Sequence, residues 1–409
     1  MDEDRSKVAT ADGLFEGEAW FDPLEAGIRG RIRGLIEELV EQELEAALGR
    51  GRYERKVASQ GHRHGHRRRR LTGSFGPVEI AVPRARLPAG DDGATREWRS
   101  AVLPRYARRT RQVEALIAGA YLSGTNTRRV QRALAALFRG ALGKDVVSRA
   151  WRKLKADWDN WSKRSLAEED IVRLVLDGTV VRVRLDRKAT SISLLVVLGI
   201  RRDGRKLLLA VRNMGGESEA AWRSLLDDLV ARGLRTPGFM ITDGAPGLEK
   251  ALAALWLTVP AQRCTVHKHR NLLAHAPEKL HDEITADYTD MIYAATVPEI
   301  EQRRRTFLRK WRLRCRAVAD SLEEAGDRLF AFTRLPSSQW KSARTTNAIE
   351  RLHEEFKRRI KTQTVLPSAE TAAMLFWALL ASGQISMRKV DGWQSLGQPP
   401  VRSMIDLAA

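Results

Sequence analysis

The chain has 409 residues, with 71 Lys and Arg against 51 Asp and Glu and a net charge of +20. It is too long for one ordinary domain and short for four, and 43% hydrophobic with 30% charged residues fits a globular chain able to bury a core. A positive surplus of that size repels itself unless something anionic is near, so nucleic acid is the expected partner.

The first residues are acidic (Asp2, Glu3, Asp4, Glu16, Glu18), the opposite of a signal peptide's basic start. Leu35, Ile36, Leu39, Val40, Leu44 and Leu48 then recur at helical spacing. The densest basic run follows, GHRHGHRRRR at 61–70. Its three alternating histidines lack a nearby Cys or carboxylate to complete a tetrahedral metal site, so contact with phosphates is the better reading. GPVEIAVPRAR, starting at Gly76, alternates at Val78, Ile80 and Val82 and reads as a short strand stopping at Pro83. These residues, 1–110, are expected to form an N-terminal helical and basic region.

Residues 111–165 read as a helical block. Val113, Leu116, Ile117, Ala120 and Tyr121 make one stripe, and Thr125 or Asn126 offers an N-cap to a second helix with Val130, Leu134 and Leu137. A third helix carries Val147, Ala150, Trp151 and Leu154. Helix, short turn and helix, with Arg149, Arg152 and Lys153 exposed, looks like a helix-turn-helix DNA reader, although a plain three-helix bundle has the same spacing.

The period changes near residue 171. IVRLVLDGTVVRVRL, SISLLVVLGI and KLLLAVRNM read as consecutive strands. Ser191–Ile200 is too short and β-rich to cross a membrane, and no other apolar run is long enough, so no membrane partner is expected. A helix with Ala221, Leu225, Leu226 and Leu229 on one face follows, then the buried strand GFMITDG, then a helix opened by Pro246. This is an α/β domain with a mixed sheet. Residues 272–335 read as helices only, with Phe307, Trp311, Cys315 and Val318 on one face, so they look like an insertion. The α/β pattern resumes with a helix across Thr346–Lys361, and a helical tail is expected over 366–409. Two cysteines, Cys264 and Cys315, are too few for a disulfide framework, so a reducing cytoplasm is the expected compartment.

Asp177 and Asp243 each follow an apolar run and precede Gly. A buried strand does not readily hold an ionised carboxylate, so each is expected where its strand meets solvent. On adjacent strands the two would repel, and hard divalent cations relieve that repulsion. A third carboxylate is sought on the helix TTNAIERLHEEFKRRIK. Its apolar stripe is Ile349, Leu352, Phe356 and Ile360, while Asn347, Glu350, Glu354 and Lys357 share a neighbouring face. Periodicity leaves Glu350 and Glu354 equivalent.

Together LVLDGTVVRVR, ITDGAPGLEKAL, QRCTVHKHRN and RTTNAIERLHEEFKRR resemble the mutator-type transposases of bacterial insertion sequences. The resemblance runs from about the GPVEIAVPRAR segment to the C-terminus and is poor over the first fifty residues. It implies an RNase H-like catalytic domain over 166–365, interrupted by the all-helical insertion. It also implies the acidic triad Asp177, Asp243 and Glu350 as catalytic residues holding two Mg²⁺ ions, with Mn²⁺ able to substitute. Cys264 and His267 occupy the family's C-x-x-H motif. As half a tetrahedral site without a second pair, they are read as structural rather than zinc-binding, with His267 a further candidate for DNA contact.

The implied activity is binding of an element's terminal inverted repeats, cleavage to expose 3′-hydroxyl ends and their transfer to target DNA. A homodimer or larger assembly on DNA is implied, in the bacterial cytoplasm at the nucleoid. Lys268, Arg270, Arg344, Arg351, Lys357, Arg358 and Arg359 are the expected phosphate contacts of the catalytic domain, beside Arg149, Arg152 and Lys153 of the helical block. The alternatives are a nuclease or resolvase of the same fold that cuts without joining, and a domesticated DNA-binding protein, against which the complete triad counts.

Overall fold

The structure is a computed structural model that describes residues 23–54, 60–89, 94–122, 144–185, 188–360 and 368–401. The chain divides into two compact units, with boundaries at residues 121–125 and 153–154.

In the first unit, helix α1 (Pro23–Leu48) packs on a three-stranded antiparallel sheet of β1 (His62–Gly73), β2 (Gly76–Pro88) and β3 (Thr95–Glu97). The apolar spacing of α1 places Val40, Leu44 and Leu48 inside, with Leu71, Val78, Ile80, Val82 and Leu103 opposite, while Leu35 and Leu39 stay exposed. The β2 strand does not stop at Pro83 but runs on to Pro88. Pro83 pairs with His66 beside a register shift in β1, where a residue without an N–H disturbs the ladder least. The histidines of the basic run are exposed on β1. Arg69 turns back to the carbonyls of Pro104 and Ala107, and Arg63 pairs with Glu41 and Glu45. Helix α2 (Arg111–Leu122) follows. The expected second helix of the DNA reader lies outside the described residues.

Helix α3 (Lys144–Lys163) leads into the second unit. Its sheet has the order β6-β5-β4-β7-β8, built from β4 (Ile171–Leu185), β5 (Lys188–Arg201), β6 (Lys206–Asn213), β7 (Phe239–Thr242) and β8 (Ala261–Arg263). The three long strands are antiparallel, while β7 lies parallel to β4 and β8 parallel to β7. The three-residue β8 runs into the start of QRCTVHKHRN, and its length hides it from any periodicity argument.

Helices α4 (Glu219–Ala231) and α5 (Pro246–Trp256) bury Trp222, Leu225, Leu226, Leu229, Leu248 and Leu252 with Leu195 and Val197 of the sheet. The alternate residues Leu194, Val196 and Leu198 are equally buried, so both sheet faces are covered. Helices α6 (Thr265–Ala274), α7 (His281–Ile292), α8 (Val297–Arg314), α9 (Arg316–Ala325) and α10 (Ser337–Ala343) form the helical stretch between β8 and the last part of the chain. Phe307, Trp311 and Val318 are buried there, but Cys315 is a break between α8 and α9 with φ −157° rather than a member of one face. Helix α11 (Asn347–Ile360) packs on β4, and α12 (Ala369–Ala381) on β6 and β4. The α12 helix is apolar all round and buried from Thr371 to Leu379, so this part of the expected tail belongs to the second unit's core. Among the described residues no helix is long and apolar enough to cross a membrane.

Candidate active site

Asp177 lies within β4, opposite Val196 of β5, and is only 4% exposed. It does not stand where its own strand meets solvent. The antiparallel ladder to β5 carries β4 on to Leu185, whereas the parallel ladder to β7 ends at the pair Leu176 and Thr242. Asp177 is therefore the first β4 residue past that ladder, and Asp243 is the first residue after β7. Two carboxylates thus flank the same end of adjacent strands, and it is the neighbour's end that opens the space. Asp243 Oδ1 accepts from the Ala245 N–H at 2.9 Å, closing a turn through Gly244 at φ +87° before Pro246 opens α5.

Glu350 reaches this place through the C-x-x-H motif. The Cys264 N–H donates to the Thr242 carbonyl at 2.7 Å, which ties the sulfur to the end of β7. Cys264 Sγ accepts from the Thr346 N–H at 3.4 Å, and the Thr346 carbonyl accepts from Ile349 and Glu350 at 2.8 and 3.1 Å, starting α11. His267 stands one turn beyond Cys264, so its ring returns to the same side. Its Nδ1 lies 3.4 Å from Thr346 Oγ1 and its Nε2 3.3 Å from Glu350 Oε1. The motif is a clip between the second aspartate's strand and the helix of the third carboxylate. Arg270 adds Nη1 at 3.5 Å from Glu350 Oε1, an oxygen that is buried and takes no aligned hydrogen bond.

The charges are crowded. Burial, then Asp243, with Cys264 and Glu350 adding to them, pushes the Asp177 carboxyl up to about 8 against the pull of His267. The bond to Cys264 comes first in raising His267 to about 9, and Asp177 and Glu350 add to it against burial. Burial alone would raise the Cys264 thiol, but bonds to His267 and Thr346 bring it below its ordinary value. A protonated His267 therefore sits among the acidic groups. Among the described residues no three His, Cys, Asp or Glu side chains stand at metal-ligand spacing.

The expected phosphate contacts divide. Arg152, Lys153, Arg270, Arg351, Lys357 and Arg358 are exposed, Arg358 and Arg359 pairing with Glu355. Arg359 is half-buried and also reaches the Gln384 carbonyl. Lys268 and Arg344 are corrections. Lys268 is 1% exposed, with its ammonium among Ser321, Glu324 and Asn271. Arg344 is buried with its guanidinium 4.9, 4.6 and 5.7 Å from the rings of Tyr293, Phe332 and Trp340. The Arg149 side chain lies outside the described residues.

Three residues escaped the sequence reading. His353, one turn after Glu350, is buried with Nδ1 3.8 Å from Asp177 Oδ2. Burial first, then Lys357 and His267, lower its pKa to about 3, so it stays neutral. Thr346 anchors the clip, and Glu217 lies in the turn before α4, where burial and then the charge of Asp243 push its carboxyl up against the pull of His267. His353 could have been found as Glu-x-x-His on one helix face; Glu217 carried no sequence signal.

A family model described as "Transposase, Mutator family" matches residues 18–387. Over 353 residues the chain is 31% identical to the transposase for insertion sequence element ISRM5 of Rhizobium meliloti (strain 1021), across 86% of each chain. It is 28% identical over 329 residues to the transposase for IS905 of Lactococcus lactis subsp. lactis (strain IL1403), covering 80% of this chain and 81% of that one. It is also 28% identical over 334 residues to the transposase for IS256 in transposon Tn4001 of Staphylococcus aureus, covering 80% and 82%.

Proposed function

The chain belongs to the Mutator family of transposases, and from that premise we propose that it cuts the ends of an insertion sequence and joins them to target DNA with Asp177, Asp243 and Glu350 as its catalytic carboxylates. The observation that carries this reading is the placement of Asp177 and Asp243 past one strand ladder, with Glu350 clipped beside them through Cys264, His267 and Thr346. The sheet order β6-β5-β4-β7-β8, with β7 and β8 parallel to β4, supports an RNase H-like fold.

The donor chemistry suits Mg²⁺, and because no three of the acidic groups stand at metal-ligand spacing among the described residues, a bound ion would draw them together. The donor set consists of carboxylate oxygens, one of them buried without a hydrogen bond, in a cluster whose acidic crowding a divalent cation would relieve. Asp177, Asp243 and Glu350 would hold the two ions, with Mn²⁺ as a substitute, and bound there they would activate the attacking oxygen and stabilise the leaving one. The protein's own groups do the positioning. The β4 and β5 ladder fixes Asp177, the Ala245 turn fixes Asp243, and His267 holds Glu350 toward them. Exposed Arg270 stands beside Glu350, where a DNA phosphate would approach. In the first step a water oxygen attacks phosphorus and a 3′-oxygen leaves, taking a proton. In the second that 3′-oxygen attacks a target phosphodiester and displaces its 3′-oxygen. No covalent enzyme intermediate is needed. Two element ends must be held together, so a dimer or larger assembly on DNA is expected.

The test is to supply precleaved element ends and a target duplex with Mg²⁺. Joined products are expected. Cleavage of intact ends without any joining would support a nuclease and overturn the transfer step.

A further inference from the structure

Glu217 lies in the turn between β6 and α4, just before Ser218, whose side chain caps α4 by accepting from the Ala221 N–H. Two glycines shape its place. A Cβ on Gly178, the residue after Asp177, would stand 2.2 Å from Glu217 Oε1 and 2.3 Å from its carboxyl carbon. The carboxylate therefore lies against the main chain of the first aspartate's strand. A Cβ on Gly247, in the first turn of α5, would stand 2.5 Å from the Glu217 carbonyl oxygen and 2.9 Å from the Glu219 nitrogen. The main chain of Glu217 is thus wedged against the helix that follows Asp243. The one residue touches both aspartate motifs, with its side chain on one and its backbone on the other.

Glu217 is half-buried, and its side chain has no hydrogen bond or ion pair to any described residue. Its charged neighbours are Asp243 and His267. A carboxylate packed against the main chain of Gly178 and close enough to Asp243 to feel its charge, with no ion pair of its own among the described residues, is disposed to share a bound cation. We propose that Glu217 is a fourth carboxylate of the site, a ligand to the cation on its Asp243 side. The assignment rests on the reading of Asp177, Asp243 and Glu350 as cation ligands.

The probe is Mn²⁺ alone, titrated into the full chain by calorimetry, with melting temperatures measured with and without it. Glu217→Gln keeps the side chain's shape and breaks no protein contact, so the fold should survive. It should weaken Mn²⁺ binding about tenfold or more, in the range that loss of a metal-site partner brings. It should also raise the melting temperature of the metal-free protein, because one of the clustered negative charges is gone, and shrink the gain that Mn²⁺ confers. A purely structural role would lower that temperature instead. Glu217→Asp, which keeps the charge on a shorter arm, should fall between. If Glu217→Gln binds Mn²⁺ as the unaltered protein does while Asp243→Asn loses it, Glu217 is no ligand and the triad stands. If Asp243→Asn also binds normally, the triad reading fails and the assignment of Glu217 fails with it.

Discussion

Lys268 carries its ammonium to a buried point where Ser321, Glu324 and Asn271 accept at 3.0, 3.0 and 3.3 Å. A lysine beside the C-x-x-H motif of a basic chain reads naturally as a phosphate contact, but what decides its place is a partner 56 residues away. Burial pushes the Glu324 carboxyl up, yet its bonds to Lys268 and Arg263 bring it below the ordinary glutamate range. A carboxyl depressed in the fold adds stability above its unfolded value and loses it as the pH falls through the folded one. Glu324→Gln should therefore lower the unfolding free energy by about 1 kcal/mol at pH 7, a small figure because the Glu324 carboxylate is itself exposed and solvent screens its pairs. The deficit should shrink as the pH approaches about 3, where unfolded glutamate is also protonated. Urea melts across that range check it, and a deficit that stays constant with pH would contradict the pairing. Lys268→Met should leave the salt dependence of DNA binding unchanged. A slope reduced by about one would put the ammonium on a phosphate after all. Asp177 teaches a related lesson: its D-G signal was legible, but its burial depends on β5 extending past the end of β7, which no local pattern reveals.

Helix α11 shows what periodicity can and cannot carry. Ile349, Leu352, Phe356 and Ile360 were readable as its apolar stripe, and all four are buried. Glu350 and Glu354 share one face by spacing alone. They separate only because α6 brings His267 and Arg270 to Glu350 while Glu354 stays exposed. The helix's basic residues separate in the same way. Arg358 and Arg359 are engaged by Glu355, whereas Arg351 and Lys357 are exposed on the surface. Arg351→Ala and Lys357→Ala should each weaken DNA binding across sequences and reduce the salt slope by about one. Arg344→Ala should lower the melting temperature through loss of its contacts with three rings and leave the slope alone. Binding titrations at several salt concentrations separate the two kinds of residue. A slope change in Arg344→Ala would contradict its burial.

Across the whole chain, the alternation and run lengths of three strands, a helix, a strand and a helix were enough to place the mixed sheet. They could not show β8, whose three residues pair in parallel with β7 and so set the position of Cys264. The charge of +20 pointed to nucleic acid without saying which residues meet it. The central claim is that the fold gathers Asp177, Asp243 and Glu350, far apart in sequence, into one cation-dependent centre. It is tested most directly by Mg²⁺-dependent cleavage of a duplex bearing the element's end, comparing Asp177→Asn, Asp243→Asn, Glu350→Gln and Glu354→Gln at equal DNA occupancy. The account predicts that the first three abolish cleavage while still binding DNA, and that Glu354→Gln cuts at close to the unaltered rate. Cleavage retained in Glu350→Gln and lost in Glu354→Gln would contradict it.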